Sequence, residues 1–253
     1  MMGINASRAV SPTLLHGLVG AWCPSLGPSG YTLLDRSGRG HHGTLTNMDA
    51  GSDWVCTPGG WAVDFDGSND FVALPSIRVI SALSISMWVT LRQISQELLF
   101  NKQPTNRAFN LLVESGSLKL RGGGLTSVNY AVTRAKQYHI VATIRGTLGT
   151  IYIDGVQAAT GNVTSIGSTT GVCEIGRLGD FGGGYYTDGV IADTGLWQRA
   201  LAAPEAALLY QAGQSGLGRL LTQRAQRRVF RTQAAVKSYL FVNRGQVIGG
   251  GIR

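Results

Sequence analysis

The sequence predicts an all-β protein, and three observations support that prediction. Short apolar runs alternate with polar residues at a period of two, which is typical of strands with one buried face. Glycine is abundant, with 36 residues against 7 prolines, and glycine clusters separate the runs as tight turns would. The chain has 253 residues and 43% apolar content, which is enough to bury a core and excludes a disordered chain. We therefore expect a two-sheet antiparallel jelly-roll sandwich with one short helix and a basic C-terminal extension.

The clearest strand lies at residues 83–91 (LSISMWVTL), where every second side chain from Leu83 onward is apolar. Residues 139–145 (HIVATIR) and 150–159 (TIYIDGVQAA) predict two further strands joined through 146–149. Within the second of these, Asp154-Gly155 predicts a tight hairpin, because a type I′ turn needs positive φ at both central positions.

Another strand pair is predicted from residues 62–67 (AVDFDG) and 71–75 (FVALP), joined by a polar turn at 67–69. The body contains one convincing helix, at residues 203–213 (APEAALLYQAG). Pro204 suits a first helical position, Glu205 suits the positive end of the helix dipole, and Gly213 can end the helix.

Charge divides the chain into parts. All 14 acidic residues lie between Asp35 and Glu205, and basic residues balance them in that body. The segment after residue 216 carries eight basic residues and no acidic one, so it accounts for the whole net charge of +8. We therefore expect an N-terminal arm at 1–16, a jelly-roll domain at 17–213 and a basic anchoring tail at 214–253.

Cysteine content and the N-terminus bear on the compartment. Cys23, Cys56 and Cys173 cannot form a fully paired disulfide framework, which favours buried reduced thiols, although one disulfide beside one free thiol stays open. The N-terminus lacks the basic and apolar regions of a signal peptide, and no apolar run approaches the roughly 18 residues of a membrane span. We expect a protein made and folded in a cytoplasm.

Several segments then point to a family. They are GLVGAW at 17–22, LLDRSGRGHHGTL at 33–45, WAVDFDGSNDFVALP at 61–75 and GVIADTGLWQRALAAPEAALLY at 189–210, together with the strands at 83–91 and 150–159. Their order resembles that of laminin-G-like, concanavalin-A-like jelly-roll domains. The resemblance implies the fold, whereas lectins, adhesins, structural modules and glycanases all use it.

The acidic residues argue against an enzyme. A glycanase needs two carboxylates about 5–10 Å apart across the bond it cleaves, and the glutamates here are isolated in sequence. The densest acidic cluster is Asp64, Asp66 and Asp70, of which 66–70 is better interpreted as a polar turn. Motifs for a serine or cysteine nucleophile, a phosphate-binding loop or a zinc protease are absent. We expect no catalytic activity.

The family resemblance implies a structural Ca²⁺ site where the first loop meets the closing strand. The positions that match the family's motif assign Asp35 and Asp193 as its ligands, together with backbone carbonyls near Gly40 and Gly60. Ala192 stands where the family often has a second acid, which leaves open that Asp35 only caps a turn. The adjacent His41 and His42 would point to opposite faces of a strand and are not expected to share an ion.

Aromatic side chains are the candidates for stacking on a sugar. Trp22, Trp88 and Trp197 fall within strand motifs and are expected to be buried or half-buried, while Trp54 and Trp61 flank a loop and are more open to exposure. Tyr185 and Tyr186 follow three glycines in a loop suited to presenting rings, and we assign them as candidate glycan-binding residues.

The basic tail is the most distinctive segment. Arg224, Arg227, Arg228 and Arg231 have helical spacing that places them on one face, and the following SYLFVNRGQVIGGG contains the apolar strand-formers Tyr239 and Phe241. These six are the candidate partner-binding residues. A C-terminal segment of this length cannot bury a core of its own. We therefore expect it to bind other subunits, either those of a virus capsid or virus tail or sister copies of this chain, and the last case gives a homo-oligomer.

A lectin-like module with such a tail resembles minor virion proteins of tailed phages. The leading hypothesis is therefore a non-enzymatic protein displayed on a virion for decoration or for adhesion to a cell-surface glycan. The alternative is a bacterial glycan-binding or glycan-cleaving protein. Nucleic-acid binding is disfavoured, because apolar residues interrupt the arginines and lysines are few.

Overall fold

Two antiparallel sheets packed face to face contain most of the described residues. The computed structural model describes residues 12–79, 81–102, 108–166, 169–178 and 185–221. Contacts divide the chain into two compact units, Met1–Gly218 and Arg219–Arg253, and nearly all described residues belong to the first. The predicted all-β sandwich is confirmed.

The described residues contain seventeen strands and two named helices, and a further helical stretch begins at residue 216 and is described as far as residue 221. The helices are α1 (Pro12–Leu15) and α2 (Ala203–Ala212), and a 3₁₀ turn lies at Pro24–Leu26. The strands are β1 (Leu18–Trp22), β2 (Thr32–Leu33), β3 (Gly43–Thr46), β4 (Trp54–Thr57), β5 (Gly60–Asp66), β6 (Phe71–Val79), β7 (Ala82–Leu91), β8 (Gln96–Lys102), β9 (Phe109–Glu114), β10 (Ser117–Arg121), β11 (Ser127–Ala131), β12 (Gln137–Arg145), β13 (Leu148–Ile153), β14 (Val156–Asn162), β15 (Thr169–Ile175), β16 (Asp188–Ile191) and β17 (Thr194–Trp197).

The strands form sheet A and sheet B. Sheet A runs in the order β14-β13-β12-β7-β16-β5-β4, and β17 joins β1 to β7. Sheet B runs in the order β11-β10-β9-β8-β15-β6-β3-β2. Neighbours in sequence often lie far apart in a sheet, so the topology brings distant segments of the chain side by side.

The core lies between the inner faces of the two sheets. In sheet B one inner row crosses seven strands, consisting of Leu45, Val72, Ile175, Phe100, Leu111, Leu120 and Val128. Sheet A contributes the alternating side chains of β7, from Leu83 to Leu91, as the sequence predicted. Lys102 is also fully buried, and burial lowers the pKa of its ammonium.

The predicted hairpins of sheet A are confirmed. Strands β12 and β13 pair in antiparallel register from Ile140 opposite Ile153 to Arg145 opposite Leu148. Asp154 and Gly155 connect β13 to β14 with φ values of 51° and 80°, the positive values that a type I′ turn requires.

The predicted pairing of residues 62–67 with 71–75 is wrong. The two strands exist as β5 and β6, but β5 lies in sheet A against β4 and β16, whereas β6 lies in sheet B against β3 and β15. The turn at 67–69 therefore crosses from one sheet to the other. Sequence alternation identified both strands but carries no information about which sheet each one joins.

The tryptophans of the strand motifs follow the prediction. Trp22 and Trp197 are fully buried and Trp88 is half-buried, while Trp61 is exposed. Trp54, for which exposure was left open, is buried, and its indole Nε1 donates a hydrogen bond to the carbonyl of Gly30 at 2.9 Å.

The predicted helix is confirmed as α2, which packs on the outer face of sheet A. Glu205 accepts a hydrogen bond from the N–H of Ala202 at 3.0 Å, and Gly213 ends the helix with φ of 82°. Tyr210 of this helix stacks on Trp88 with ring centroids 5.7 Å apart. The helix therefore covers part of the outer face of sheet A.

Residues beyond the helix remain attached to the sandwich as far as Gly218. Gln214 accepts a hydrogen bond from Gln137 at 2.8 Å and donates one to Thr57 at 2.7 Å, and the N–H of Gly218 donates to Asp193 at 3.0 Å. The first five residues of the predicted tail thus contact the jelly-roll body.

The cysteines form no disulfide bond with one another. All three cysteines are free; Cys23 and Cys173 are buried as predicted, whereas Cys56 is exposed. Burial raises the pKa of the Cys173 thiol to about 12. Among the described residues, no helix has the length and apolar content to cross a membrane.

Candidate functional site on the outer face of sheet B

A row of outward-facing residues crosses all eight strands of sheet B, one residue per strand. We call it the polar row; its members are Thr32, Thr44, Ala73, Glu174, Asn101, Asn110, Arg121 and Ser127. Seven of the eight are polar or charged, while the neighbouring row on the inner face is wholly apolar. The register of the sheet therefore collects polar groups from eight separate segments in one line.

Alternation along each strand explains why these side chains face outward. In β9 the residues Phe109, Leu111 and Val113 enter the core, which leaves Asn110 and Glu114 on the other face. In β10 the same period places Lys119 and Arg121 outward, between buried leucines. Core formation thus fixes the direction of the polar side chains.

The middle of the polar row contains two buried polar atoms without hydrogen bonds. Within the described chain, Asn110 Oδ1 has no donor and Arg121 Nε has no acceptor. The two residues are direct partners on neighbouring strands, so their side chains leave the sheet side by side. A buried polar group without a partner costs about 1–3 kcal/mol, and folded proteins contain few of them. This pair is therefore the strongest indication of a ligand site.

Charged side chains lie on both sides of this pair. Toward β10, Glu114 accepts a hydrogen bond from Lys119 Nζ at 2.6 Å and one from Arg121 Nη2 at 3.0 Å. The ammonium of Lys119 holds the pKa of Glu114 below its usual value, with a smaller contribution from Arg121. These side chains are 17–25% exposed, so solvent reaches the charged cluster.

On the β15 side of the row, Glu174 pairs with Arg177. The guanidinium donates from Nε at 3.2 Å and also from Nη2, and it lies 3.6 Å from the ring centre of Phe71. A cation–carboxylate pair thus borders each side of the buried amides.

Tyr185, predicted as a glycan contact, lies at the border of the same face. Its hydroxyl accepts a hydrogen bond from Nε2 of Gln96 at 3.4 Å, and Gln96 faces outward opposite Glu114 in the register. Tyr186 forms a backbone bridge with Arg177. The structure therefore brings Tyr185 beside Gln96 and Tyr186 beside Arg177, at the border of this face, and their role in glycan binding stays a prediction.

Comparison with known proteins identifies the family. Residues 66–207, more than half of the chain, match the family described as the concanavalin A-like lectin/glucanases superfamily. The chain belongs to the concanavalin A-like lectin/glucanase superfamily. A search of curated proteins finds no match.

Solved structures with the same fold include three binding modules, each of low identity. The binding domain of Paraclostridial Mosquitocidal Protein 1 has 15% identity and a TM-score of 0.62, covering 78% of this chain and 52% of its own. Domain 4 of AbnA, a GH43 extracellular arabinanase from Geobacillus stearothermophilus in complex with arabinotriose, has 17% identity and a TM-score of 0.61, covering 75% and 96%. The binding domain of botulinum neurotoxin DC in complex with SialylT has 12% identity and a TM-score of 0.60, covering 79% and 52%. This chain thus spans about half the length of the two toxin domains.

The superfamily resemblance located the fold, but sequence reasoning missed Asn101, Asn110 and Arg121. The available signal was the polar alternation in residues 109–114 and 117–121, which marks Asn110 and Arg121 as outward-facing. That signal could not show that the two residues meet other polar groups from β8 and β15, because strand order is not encoded in alternation.

The predicted Ca²⁺ ligands are already engaged by protein donors. Asp35 accepts four hydrogen bonds, namely from the N–H groups of Ala21, Ser37 and His41 and from the Ser37 hydroxyl, at 2.8–2.9 Å. Asp193 accepts from the N–H of Ser25 at 3.2 Å as well as from Gly218. Burial raises the pKa of Asp193 to about 6.

Such surroundings suit a carboxylate held by N–H groups better than one shared with a cation. Gly40 and Gly60 adopt positive φ values of 78° and 116°. Within the described chain, no group of three or more acidic, histidine or cysteine side chains is placed to hold a metal ion. Calcium would have to replace the hydrogen bonds of Asp35, so the residues fit it poorly, and its binding stays a prediction.

His41 and His42 have separate structural roles. The ring Nδ1 of His41 lies 2.7 Å from the carbonyl of Val19, and Nδ1 of His42 accepts from the N–H of Asp35 at 3.0 Å. The polar turn predicted at 66–70 is confirmed, since Asp66 accepts hydrogen bonds from the N–H groups of Ser68 and Asn69.

The outer face of sheet A contains a serine–histidine pair that does not form a hydrolase site. Ser86 Oγ lies 3.0 Å from Nε2 of His139, and both residues are buried. Among the described residues Nδ1 of His139 has no hydrogen-bond partner, so none of their carboxylates orients the ring as a catalytic triad requires. Burial lowers the pKa of His139 to about 3, which leaves a neutral ring stacked against Tyr210.

The six partner-binding residues predicted in the tail lie outside the described residues. They are Arg224, Arg227, Arg228, Arg231, Tyr239 and Phe241.

Proposed function

We propose that this chain is a non-enzymatic carbohydrate-binding module whose saccharide binds on the outer face of sheet B. The unpartnered pair at Asn110 and Arg121 is the observation that supports the proposal. A saccharide hydroxyl both donates and accepts a hydrogen bond, so one hydroxyl can donate to Asn110 Oδ1 and accept from Arg121 Nε.

The neighbours in fold are consistent with this proposal. One is an arabinanase domain in complex with arabinotriose, and another is a toxin binding domain in complex with SialylT. These saccharides belong to those proteins. They support the use of this sandwich as a binding module, while the identity of the saccharide here rests on the residues of the polar row.

The acidic residues of the face do not favour cleavage. Glu114 and Glu174 are two strands and four residues apart in the register, a Cα separation of about 16 Å from standard sheet spacings. Paired glycosidase carboxylates lie about 5–10 Å apart. A general acid also needs a raised pKa, and the pKa of Glu114 is lowered by Lys119. Both carboxylates act instead to fix cationic side chains.

Display on a phage particle is the finer part of the proposal, and it depends on the basic tail. Deleting residues 222–253 keeps Gln214 and Gly218, which contact the body, and removes seven of the eight basic residues that follow residue 216. We expect the truncated protein to melt at nearly the same temperature as the full chain and to lose incorporation into particles or oligomers. A truncated protein that assembles normally would contradict anchoring by the tail.

A glycan array followed by calorimetry tests saccharide binding. We expect the full chain to bind at least one saccharide, and Asn110→Ala to weaken that affinity at least tenfold without lowering the melting temperature. Asn162→Ala serves as the matched control, because Asn162 is exposed on β14 of sheet A. Equal loss in both variants, or binding that survives Asn110→Ala, would overturn the assignment of the site.

A further inference from the structure

The charged cluster beside Asn110 contains one more positive than negative group. Glu114 is the single carboxylate between Lys119 and Arg121, at 2.6 Å and 3.0 Å. On the other side of the row, Glu174 and Arg177 balance each other. The described part of this face therefore has an excess positive charge located next to the two unpartnered atoms.

Donors remain available in this cluster after the internal ion pairs are counted. The guanidinium of Arg121 gives Nη2 to Glu114, whereas its Nε has no acceptor in the described chain. The ammonium of Lys119 has three donors, and its recorded hydrogen bond to Glu114 uses one. Glu114 thus orients both cations while leaving hydrogen-bond donors for a ligand.

Among the described residues, the strands of the same face carry no tryptophan to stack on an uncharged sugar ring. All five tryptophans lie on strands of sheet A, namely β1, β4, β5, β7 and β17. The ring of Phe71, which faces outward from β6, is buried and covered by the Arg177 guanidinium. Recognition on the described face of sheet B must therefore depend on hydrogen bonds and charge rather than on a tryptophan platform.

From this arrangement we propose that the site selects acidic saccharides, in which a carboxylate lies beside a free hydroxyl. The carboxylate accepts from Arg121 Nε and Lys119 Nζ, and the hydroxyl donates to Asn110 Oδ1. This inference rests on the proposed function, and it adds the chemical class of the ligand. An arginine suits the role because its planar donors match a carboxylate and it stays charged at every physiological pH.

The test compares each acidic saccharide with its own neutral form. An array presents uronic-acid and sialic-acid glycans beside their methyl esters, which remove the charge and keep the ring and hydroxyls. We expect the acids to bind the full chain about tenfold more tightly than their esters, with the difference shrinking from 50 to 300 mM salt. In the double variant Lys119→Gln/Arg121→Gln the acid and ester should bind equally, and Arg121→Gln alone should remove most of the difference, whereas Arg145→Gln, at an exposed site on sheet A, should keep the preference.

The outcomes separate the two proposals. Esters or neutral glycans that bind as tightly as the acids, with binding lost in Asn110→Ala, would overturn the preference for acids and leave the carbohydrate site in place. Absence of binding to every acidic and neutral glycan would overturn both proposals. An acid preference that persists in the double variant would place the anion elsewhere and contradict this inference. Melting curves of each variant confirm that the compared proteins are folded.

Discussion

The outer faces of the two sheets differ in the hydrogen bonding of their buried polar groups. On sheet A, the Ser84 hydroxyl donates to the carbonyl of Arg199 at 2.7 Å and accepts from the N–H of Leu201 at 2.9 Å. Ser86 pairs with His139, and ring stacking against Tyr210 joins this face to α2. On sheet B, Asn110 Oδ1 and Arg121 Nε have no hydrogen-bond partner among the described residues.

The contrast separates polar groups that stabilise the fold from the polar groups of the proposed ligand site. The hydroxyls of sheet A connect the sheet to the segment that leads into the helix, so their hydrogen bonds contribute to stability. On sheet B, Asn110 Oδ1 and Arg121 Nε lower stability because they have no hydrogen-bond partner among the described residues, a cost that functional sites can carry. On sheet A, His139 Nδ1 also has no hydrogen-bond partner among the described residues.

The largest expected effect is a loss of stability when the packing of α2 on sheet A is weakened. Leu209→Ala removes a buried side chain of α2 and should lower the free energy of unfolding by about 2–5 kcal/mol. Chemical denaturation measures the loss, and Val156→Ala, at a side chain that is 70% exposed, serves as the control with little change. Saccharide affinity of the folded Leu209→Ala protein should match that of the unmutated protein; a large drop would show that the two faces are coupled.

The second largest expected effect is a loss of stability at acid pH, which His139 of sheet A causes. The pKa of His139 is about 3 in the folded protein and 6.5 in the unfolded chain, so between these values the unfolded chain binds more protons. Its contribution to stability is therefore complete above pH 6.5 and falls as the pH is lowered, by about 3 kcal/mol between pH 7 and pH 4. Denaturation curves of His139→Gln across this range should lack that component. Identical pH dependence in both proteins would refute the assignment.

The smallest expected effect is the change in stability of Asn110→Leu, which compares the two sheet faces directly. Asn110→Leu replaces an unsatisfied amide with an apolar group of similar size, so stability should stay constant or rise by up to about 1 kcal/mol while saccharide binding is lost. The matched change on sheet A, Ser86→Ala, leaves His139 Nε2 without its partner and should cost about 1–3 kcal/mol. If Asn110→Leu is the more destabilising of the two, Asn110 has a structural role and the contrast fails.

Sequence reasoning recovered the elements whose signals are local. The alternation of residues 83–91, the Asp154-Gly155 turn and the α2 helix each depend on a few consecutive residues, and all three are confirmed. The strands at β5 and β6 were also found, but their pairing was wrong because the choice of sheet depends on the packing of the whole core. Local patterns determine whether a segment forms a strand, a turn or a helix, but they do not determine which sheet a strand joins.

The candidate site escaped prediction for the same reason. Glu174, Asn101, Asn110 and Arg121 come from segments that are separated by as many as 73 residues and meet only through the register of sheet B. Tyr185 was predicted from a glycine-rich loop, and the structure places it beside Gln96 at the border of this face. Loop composition can suggest a presented ring, whereas a polar row becomes visible only once the strand order is known.

The position of the bound saccharide tests the central claim most directly. Backbone amide signals of isotope-labelled protein can be followed by NMR during titration with a saccharide identified on the array. The account predicts that the largest shifts occur at residues of β8, β9, β10 and β15 around Asn110 and Arg121, and that Asn110→Ala abolishes them. Shifts concentrated on sheet A, or at the loops around Asp35 and Asp193, would contradict it.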